Sequence, residues 1–377
     1  MISHYFKGAN QMNNPTMLTY INKEQDVLTD ILEQYPQNLD IALKGMPVDQ
    51  REWLILATGS SINAAMSAKY YVQNITGIKL NIEEPYNYSH YEQLATASEF
   101  VIGVSQSGQS TSTIEAIEAI EKIKSIHSMA ITSIPGTEIT QHCDTTLDIL
   151  TGRERVGYVS LGFSATVLNL MLLGLRVARI IGKITTDKEQ IELREFKKIV
   201  NQINATIAQT TEFAEANAID LGAASQFSGI AFGPMVGIIN ELETKFTETV
   251  RIPTHGYELE AYMHGPYLAV NPEHRILFFK TAGASDVVTK MSELYKYEQK
   301  YTEHVFLADF TGTKASNQNN LSLQKVTDIN KTPLLGAPVV QVLAWYLTKY
   351  HQIDLSHLIF NDFSEAVHNK TQVQDYV

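Results

Sequence analysis

The stretch Phe100-Val101-Ile102-Gly103-Val104-Ser105-Gln106-Ser107-Gly108-Gln109-Ser110-Thr111 decides the fold. Its first five residues are apolar without interruption. The next seven carry four hydroxyls and a glycine, and Thr113 to Ile123 then shows helical spacing. An unbroken apolar run marks a strand buried on both faces, as in a parallel sheet. The same grammar recurs at Trp53 to Ala57 before Thr58-Gly59-Ser60-Ser61, and at Met129 to Thr132 before Ser133-Ile134-Pro135-Gly136. In the second half it recurs at Ile230 to Phe232 before Gly233-Pro234, at Ile276 to Phe279 before Thr281-Ala282-Gly283, and at Val305 to Ala308 before Thr311-Gly312-Thr313. Strands alternating with helices imply right-handed βαβ units and a doubly wound parallel sheet.

The glycines keep step in the two halves. Gly59 and Gly108 are 49 residues apart and Gly108 and Gly136 are 28 apart; Gly233 and Gly283 are 50 apart and Gly283 and Gly312 are 29 apart. Two similar α/β domains in tandem, of flavodoxin-like type, are therefore expected. The chain divides into an N-terminal helical segment (1–35, with Leu18, Ile21, Val27, Leu28, Ile31 and Leu32 at helical spacing), a first domain (36–182), a second domain (203–360) and a C-terminal tail (361–377). The polar stretch from Gly182 to about Gln202 is the expected connector.

The 377 residues carry 29 Lys and Arg against 41 Asp and Glu, a net charge of −12. So acidic a chain is a poor nucleic-acid or anionic-membrane binder, because those partners need clustered cations. The apolar run from Val167 to Gly182 is interrupted by Arg176 and Arg179 and reads as a buried helix. One cysteine, Cys143, and an N-terminus without an apolar signal region suggest a reducing, cytoplasmic setting.

The hydroxyl loop at Ser105 to Thr111 sits where open α/β sheets bind ligands, at the carboxyl end of a strand. A helix N-terminus attracts anions, hydroxyls add neutral donors, and Gly108 permits close approach, so a phosphate monoester fits. Plain helix capping by Ser and Thr is the competing reading. No G-x-x-x-x-G-K-[ST] or G-x-G-x-x-G is present, which argues against nucleotide and dinucleotide loops. Thr58-Gly59-Ser60-Ser61 is a plausible second wall. Its counterpart pairing in the second half leaves Thr281-Ala282-Gly283-Ala284-Ser285 poorer in hydroxyls, so one half would hold phosphate and the other supply chemistry.

Glu241, Lys245 and Glu248 fall on one helical face at i, i+4 and i+7. Alone they read equally well as a surface ion pair. The following stretch, Arg251 to Pro266, is expected to be a Gly/Pro-punctuated loop holding His255, Tyr257, Glu260 and His264, a titratable cluster suited to proton transfer. His255 and His264 lack a zinc-helix spacing, so a metal site is the weaker reading.

These motifs resemble the double-SIS (sugar isomerase) family, in particular the isomerase half of glucosamine-6-phosphate synthase and stand-alone phosphosugar isomerase and fructosamine-6-phosphate deglycase relatives. Ser105-Gln106-Ser107-Gly108-Gln109-Ser110 is similar to the family's S-Q-S-G-E-T loop, Thr58-Gly59-Ser60 to its G-T-S turn and Lys245-x-x-Glu248 to its K-x-x-E pair. His264-Gly265-Pro266 is similar to its H-G-P signature and Lys370-Thr371-Gln372-Val373 to the K-[ST]-x-x of its tail.

The resemblance implies that Ser60, Ser105, Gln106, Ser107 and Ser110 hold the phosphate of a small-molecule sugar phosphate, with Thr58, Gly59 and Glu241 nearby. It implies Glu248 as the base moving a proton between C1 and C2 through an enediol or enolamine, supported by Lys245. His264 would assist ring opening, often across the interface of a homodimer with a shared site, and Lys370 would close over the open-chain sugar. No cofactor is implied. The family's glutaminase half, with its cysteine nucleophile, is not seen, so glutamine-derived ammonia is not expected from this chain. Arg153 and Arg155 in Gly152-Arg153-Glu154-Arg155 read first as a surface loop; the competing reading is a site for a substrate carboxylate, which would favour a deglycase over a simple isomerase. A non-catalytic sugar-phosphate-binding regulator is the alternative, and an unrelated phosphatase or kinase-like enzyme ranks last.

Overall fold

The structure is a computed structural model that describes residues 15–96, 98–372 and 376. The first half contributes β1 (Glu52–Ala57), β2 (Lys79–Glu83), β3 (Phe100–Val104), β4 (His127–Thr132) and β5 (Thr145–Asp148). The second contributes β6 (Phe227–Ala231), β7 (Thr254–Glu258), β8 (Arg275–Lys280), β9 (Val305–Asp309) and β10 (Asn320–Ser322). The sheets run β2-β1-β3-β4-β5 and β10-β9-β8-β6-β7. Every pairing is parallel. In each half the first strand lies between the second and third, so the two halves share one topology and form tandem, flavodoxin-like α/β domains.

The stretch from Arg251 to Pro266 is not the open loop expected from its glycines and prolines. Thr254–Glu258 pairs with β6 as an edge strand, and Leu259–Met263 forms a helical turn. The polar stretch expected as a connector contains the helix Thr186–Val200, whose Phe196, Ile199 and Val200 are buried. Met17–Ile21 and Glu24–Glu33 supply the helices near the N-terminus.

Between the sheets lie the helices Ser60–Thr76, Leu161–Ile180, Val236–Lys245 and Pro333–Tyr350. One continuous apolar core joins them, taking Ile55 from β1, Leu172 and Leu343 from the two long helices and Phe279 from β8. Leu161–Ile180 is long and apolar enough to cross a membrane, but 94% of its apolar window is buried against the rest of the protein. Gly237 lets Val236–Lys245 approach Ser60–Thr76, since a Cβ there would stand 2.3 Å from the Ser67 hydroxyl.

A polar chain is buried in this core. Ser164 Oγ donates to Glu24 Oε1 at 2.8 Å, and Gln341 Nε2 donates to Ser164 Oγ at 3.3 Å and to the Ser160 carbonyl at 3.1 Å. Glu24 Oε2 and Gln341 Oε1, both acceptors, have no donor. Burial pushes the Glu24 carboxyl up to about 8, and its Gln341 neighbour lies within reach. The neutral, protonated form of Glu24 is the one burial favours. Because the folded-state value lies above the ordinary 4.5, wild-type stability falls as pH rises from about 4.5 through about 8. Glu24→Gln is neutral throughout and lacks this slope. Guanidinium unfolding at pH 5 and pH 8.5 should show the variant gaining on the wild type by on the order of 3 kcal/mol; parallel pH profiles would show that Glu24 is not held neutral.

Candidate active site

The hydroxyl loop leaves the carboxyl end of β3. Gly108 has φ +70°, and a Cβ there would lie 1.8 Å from Thr137 Oγ1, so glycine is required where the loop packs on the short helix Glu138–Gln141. The Gln106 carbonyl accepts from Ser133 N–H (3.0 Å), Ser133 Oγ (2.7 Å) and Thr132 Oγ1 (3.2 Å). Ser105 is buried, and its Oγ accepts the Ser110 N–H at 3.3 Å. Ser110 stands at the N-cap of the helix Thr111–Glu121, yet its hydroxyl makes no capping bond there and instead accepts from Thr113 Oγ1 at 3.0 Å. The Ser110 hydroxyl is therefore not consumed by capping.

The C-terminal segment lies across this loop. Ser110 and Lys370 pair as an antiparallel bridge, and the Thr371 N–H donates to the Gln109 carbonyl at 3.1 Å. Lys370 Nζ donates to Ser107 Oγ at 3.2 Å. Burial holds the Lys370 ammonium below its ordinary value, which leaves a larger share of it as the neutral amine at a given pH.

A carboxylate–ammonium cluster from the second domain lies within electrostatic reach of Glu154, which borders the Gln106 side chain. Lys245 is 1% exposed and its Nζ stands 3.3 Å from Glu241 Oε1. It also donates to Glu248 Oε1 in a short contact. Glu241 Oε1 accepts from Ser60 Oγ at 2.9 Å and Glu241 Oε2 from Asn63 Nδ2 at 3.0 Å, so both its oxygens are tied to the first domain. Lys245 Nζ reaches Ser60 Oγ at 3.4 Å. Burial opposes the charge on Lys245, but Glu248 and Glu241 outweigh it and hold the ammonium above its ordinary value.

Glu248 sits in a π-helical turn, Phe246–Val250, that continues Val236–Lys245 and ends at Arg251 in the left-handed region. Its side chain is 33% exposed, the open member of the cluster. Burial raises its carboxyl above the ordinary value, against the pull of Lys245. A carboxylate so placed is a stronger base than a solvated one.

Thr58 and Gly59 form the exposed turn before Ser60, with Gly59 at φ +58°. Arg153 is exposed beside Tyr376, which also lies near Glu248 and Glu154. His264 is not brought to the cluster: its imidazole is 73% exposed and pairs with Glu260 at 3.0 Å. His255 is likewise exposed on β7. Among the described residues, no three His, Cys, Asp or Glu side chains converge as a metal site.

Sequence reasoning passed over Asn63, Tyr376 and Glu154. Asn63 lies one turn after Ser60 on the same helical face, a signal that could have found it. Glu154 is buried; its Oε1 accepts from Ser160 N–H, Ser160 Oγ and Leu161 N–H, each at 3.2 Å, and its Oε2 from Gly162 N–H at 2.8 Å. It thus caps the helix Leu161–Ile180 from outside, beside the Gln106 side chain. No local pattern in Gly152-Arg153-Glu154-Arg155 announces that role.

Two domains of one topology, with a hydroxyl-rich loop in the first and an acid–base cluster in the second that is bonded to Ser60 and Asn63 of the first, define a tandem α/β protein whose candidate site is built at the domain boundary. Residues 48–178 match the family model described as SIS domain, and the second domain repeats the strand order of the first. The chain is 23% identical over 298 residues to glutamine–fructose-6-phosphate aminotransferase [isomerizing] of Zymomonas mobilis, which covers 79% of this chain and 48% of that protein. It thus spans about half the length of the curated relatives it matches. Its fold superposes on a candidate phosphosugar isomerase from Clostridium difficile 630 with TM-score 0.85 at 22% identity, covering 96% of this chain and 100% of the other. It superposes on the C-terminal domain of glucosamine-fructose-6-phosphate aminotransferase from Francisella tularensis with TM-score 0.80 at 18% identity, covering 90% and 96%.

The Glu241 latch gives a direct test of the domain boundary. Glu241→Leu leaves the Ser60 and Asn63 donors and one side of Lys245 without their acceptor, and should destabilise by on the order of 3 kcal/mol in urea unfolding. An unchanged midpoint would mean that the two domains are held together without it.

Proposed function

We propose that the protein is a sugar-phosphate isomerase or deglycase acting on an amino-sugar or fructosamine 6-phosphate. The observation that carries this reading is Glu248: a partly open carboxylate, raised by burial and fixed by Lys245. The phosphate lies on Ser105, Gln106, Ser107 and Ser110, with Ser60 at the second wall. Glu248 removes the proton from the carbon next to the carbonyl and returns it to the adjoining carbon, passing through an enediol or enolamine. Phosphate contacts remote from those carbons hold them in place for that transfer. Lys370, lowered by burial and seated at Ser107, is placed to attack the open-chain carbonyl or to steady it. Arg153 offers a cation for an amino-acid carboxylate, which favours the deglycase branch. The exposure of His264 suits a homodimer in which it serves the neighbour's site.

The same exposure also supports a second reading, a sugar-phosphate-binding regulator, because it leaves the chain's own cluster without that histidine. A panel of hexose, hexosamine and glycated-amino-acid 6-phosphates, scored for product and released amine, separates the two. Glu248→Gln should keep sugar-phosphate binding and lose turnover by about 10³-fold; wild-type turnover in that variant overturns the assignment, and binding without turnover of any compound favours the regulator. As the base works deprotonated and its carboxyl lies above the ordinary value, the acid limb of kcat should fall above pH 4.5. Lys245→Met, which removes the lowering charge, should move that limb to higher pH.

A further inference from the structure

The second domain contains a cavity of about 240 Å³ between the helix Ser285–Glu298 and the 313–316 segment leading to β10. Its floor is apolar, made by Met291, Leu307 and Leu321. Lys280, Lys296 and Lys314 line it with Asp309, Ser292, Tyr295 and Ser316; the Ser292 hydroxyl donates to the Val288 carbonyl at 2.8 Å and the Tyr295 hydroxyl to Asn320 Oδ1 at 3.1 Å. Lys280 is paired with Asp309 at 3.4 Å. Lys296 and Lys314 have no carboxylate partner among the described residues. The lining therefore carries two uncompensated positive charges in a chain whose net charge is −12.

The duplicated fold shows that these charges are not a requirement of the architecture. The corresponding cleft of the first domain lies between the helix Thr111–Glu121 and the residues leading to β5. Glu118, Glu121 and Asp144 line it, with Lys122 and His142. The first domain has the helix Glu138–Gln141 at this point of the fold, whereas residues 311–319 of the second form no helix.

We propose that this cavity is a second anion site, separate from the Ser105 loop, which takes a small phosphate monoester. Two free ammonium groups match a dianion, and the apolar floor suits a short carbon chain. The volume of about 240 Å³ lies below the usual range of about 300–1,000 Å³ for ligand sites, which suits a three- or four-carbon phosphate and not a nucleotide. The inference stands on this lining alone and does not require the catalytic reading of the first site.

Glycerol 3-phosphate is a suitable probe, with glycerol as the neutral control. Calorimetric titration into the full chain should show binding that glycerol lacks. Lys296→Gln/Lys314→Gln should weaken the cavity component by about tenfold or more. Lys290→Gln/Lys300→Gln removes the same charge outside the cavity and should leave the isotherm unchanged. Both pairs of lysines are exposed, so the variants are expected to fold. The proposal is overturned by no binding to the wild type, by an unchanged isotherm in the cavity variant, or by equal weakening in both variants. Loss of binding at the Ser105 loop, read with Ser107→Ala, would instead bear on the catalytic reading.

Discussion

The Lys245 ammonium is the group on which the rest of the arrangement depends. Taking an ammonium out of water costs several kcal/mol, and only close opposite charges and satisfied hydrogen bonds offset that. Glu241 and Glu248 supply the charges. Besides Lys245, Glu241 accepts from Ser60 and Asn63 of the other domain. Docking of the two domains and placement of the acid–base pair are thus one event. Gly237 makes it possible by letting the two helices come close enough for those side chains to meet. The π-helical turn after Lys245 then carries Glu248 toward the open side while Glu241 stays fully buried. Two carboxylates in one cluster therefore have different duties: one fixes the ammonium, and the other is left accessible.

The central strands were legible in the sequence because burial on both faces demands continuous apolar runs. β3 was expected over its full range, and β1, β4, β6, β8 and β9 to within a few residues. The four strands that passed unnoticed are β2, β5, β7 and β10, and these are the edges of the two sheets. An edge strand has one neighbour and a half-open flank, so its residues alternate loosely between buried and exposed. β7 shows the consequence most clearly. His255, Gly256 and Glu258 read as a polar loop, yet the backbone hydrogen bonds to β6 are available to any side chain that can face water.

The site divides along the same line. Ser105 to Ser110 and Lys245 to Glu248 are each local in sequence, so their spacing carried the reading. The pairing of Ser60 with Glu241 spans 181 residues and that of Lys370 with Ser107 spans 263. No periodicity reports contacts at such separation; the family resemblance named the residues, and the fold supplied the reason they meet. Glu154 and Asn63 escaped because their work is to satisfy other groups, and that need is visible only once the helix ends and the buried carboxylate are in place.

Duplication explains why one chain can hold such different surfaces. Two copies of a strand order give two sets of carboxyl-end loops, and the fold itself does not need both to bind. In the first copy the Gly108 turn is locked under Thr137 and the helix Glu138–Gln141, which fixes the hydroxyls in place. In the second copy residues 311–319 form no helix, and the cavity there is bounded by lysines and an apolar floor. Because the shared core lies between the sheets, such changes on the outer faces cost little packing. The two halves are therefore free to diverge in charge while keeping the boundary between them fixed by Lys245.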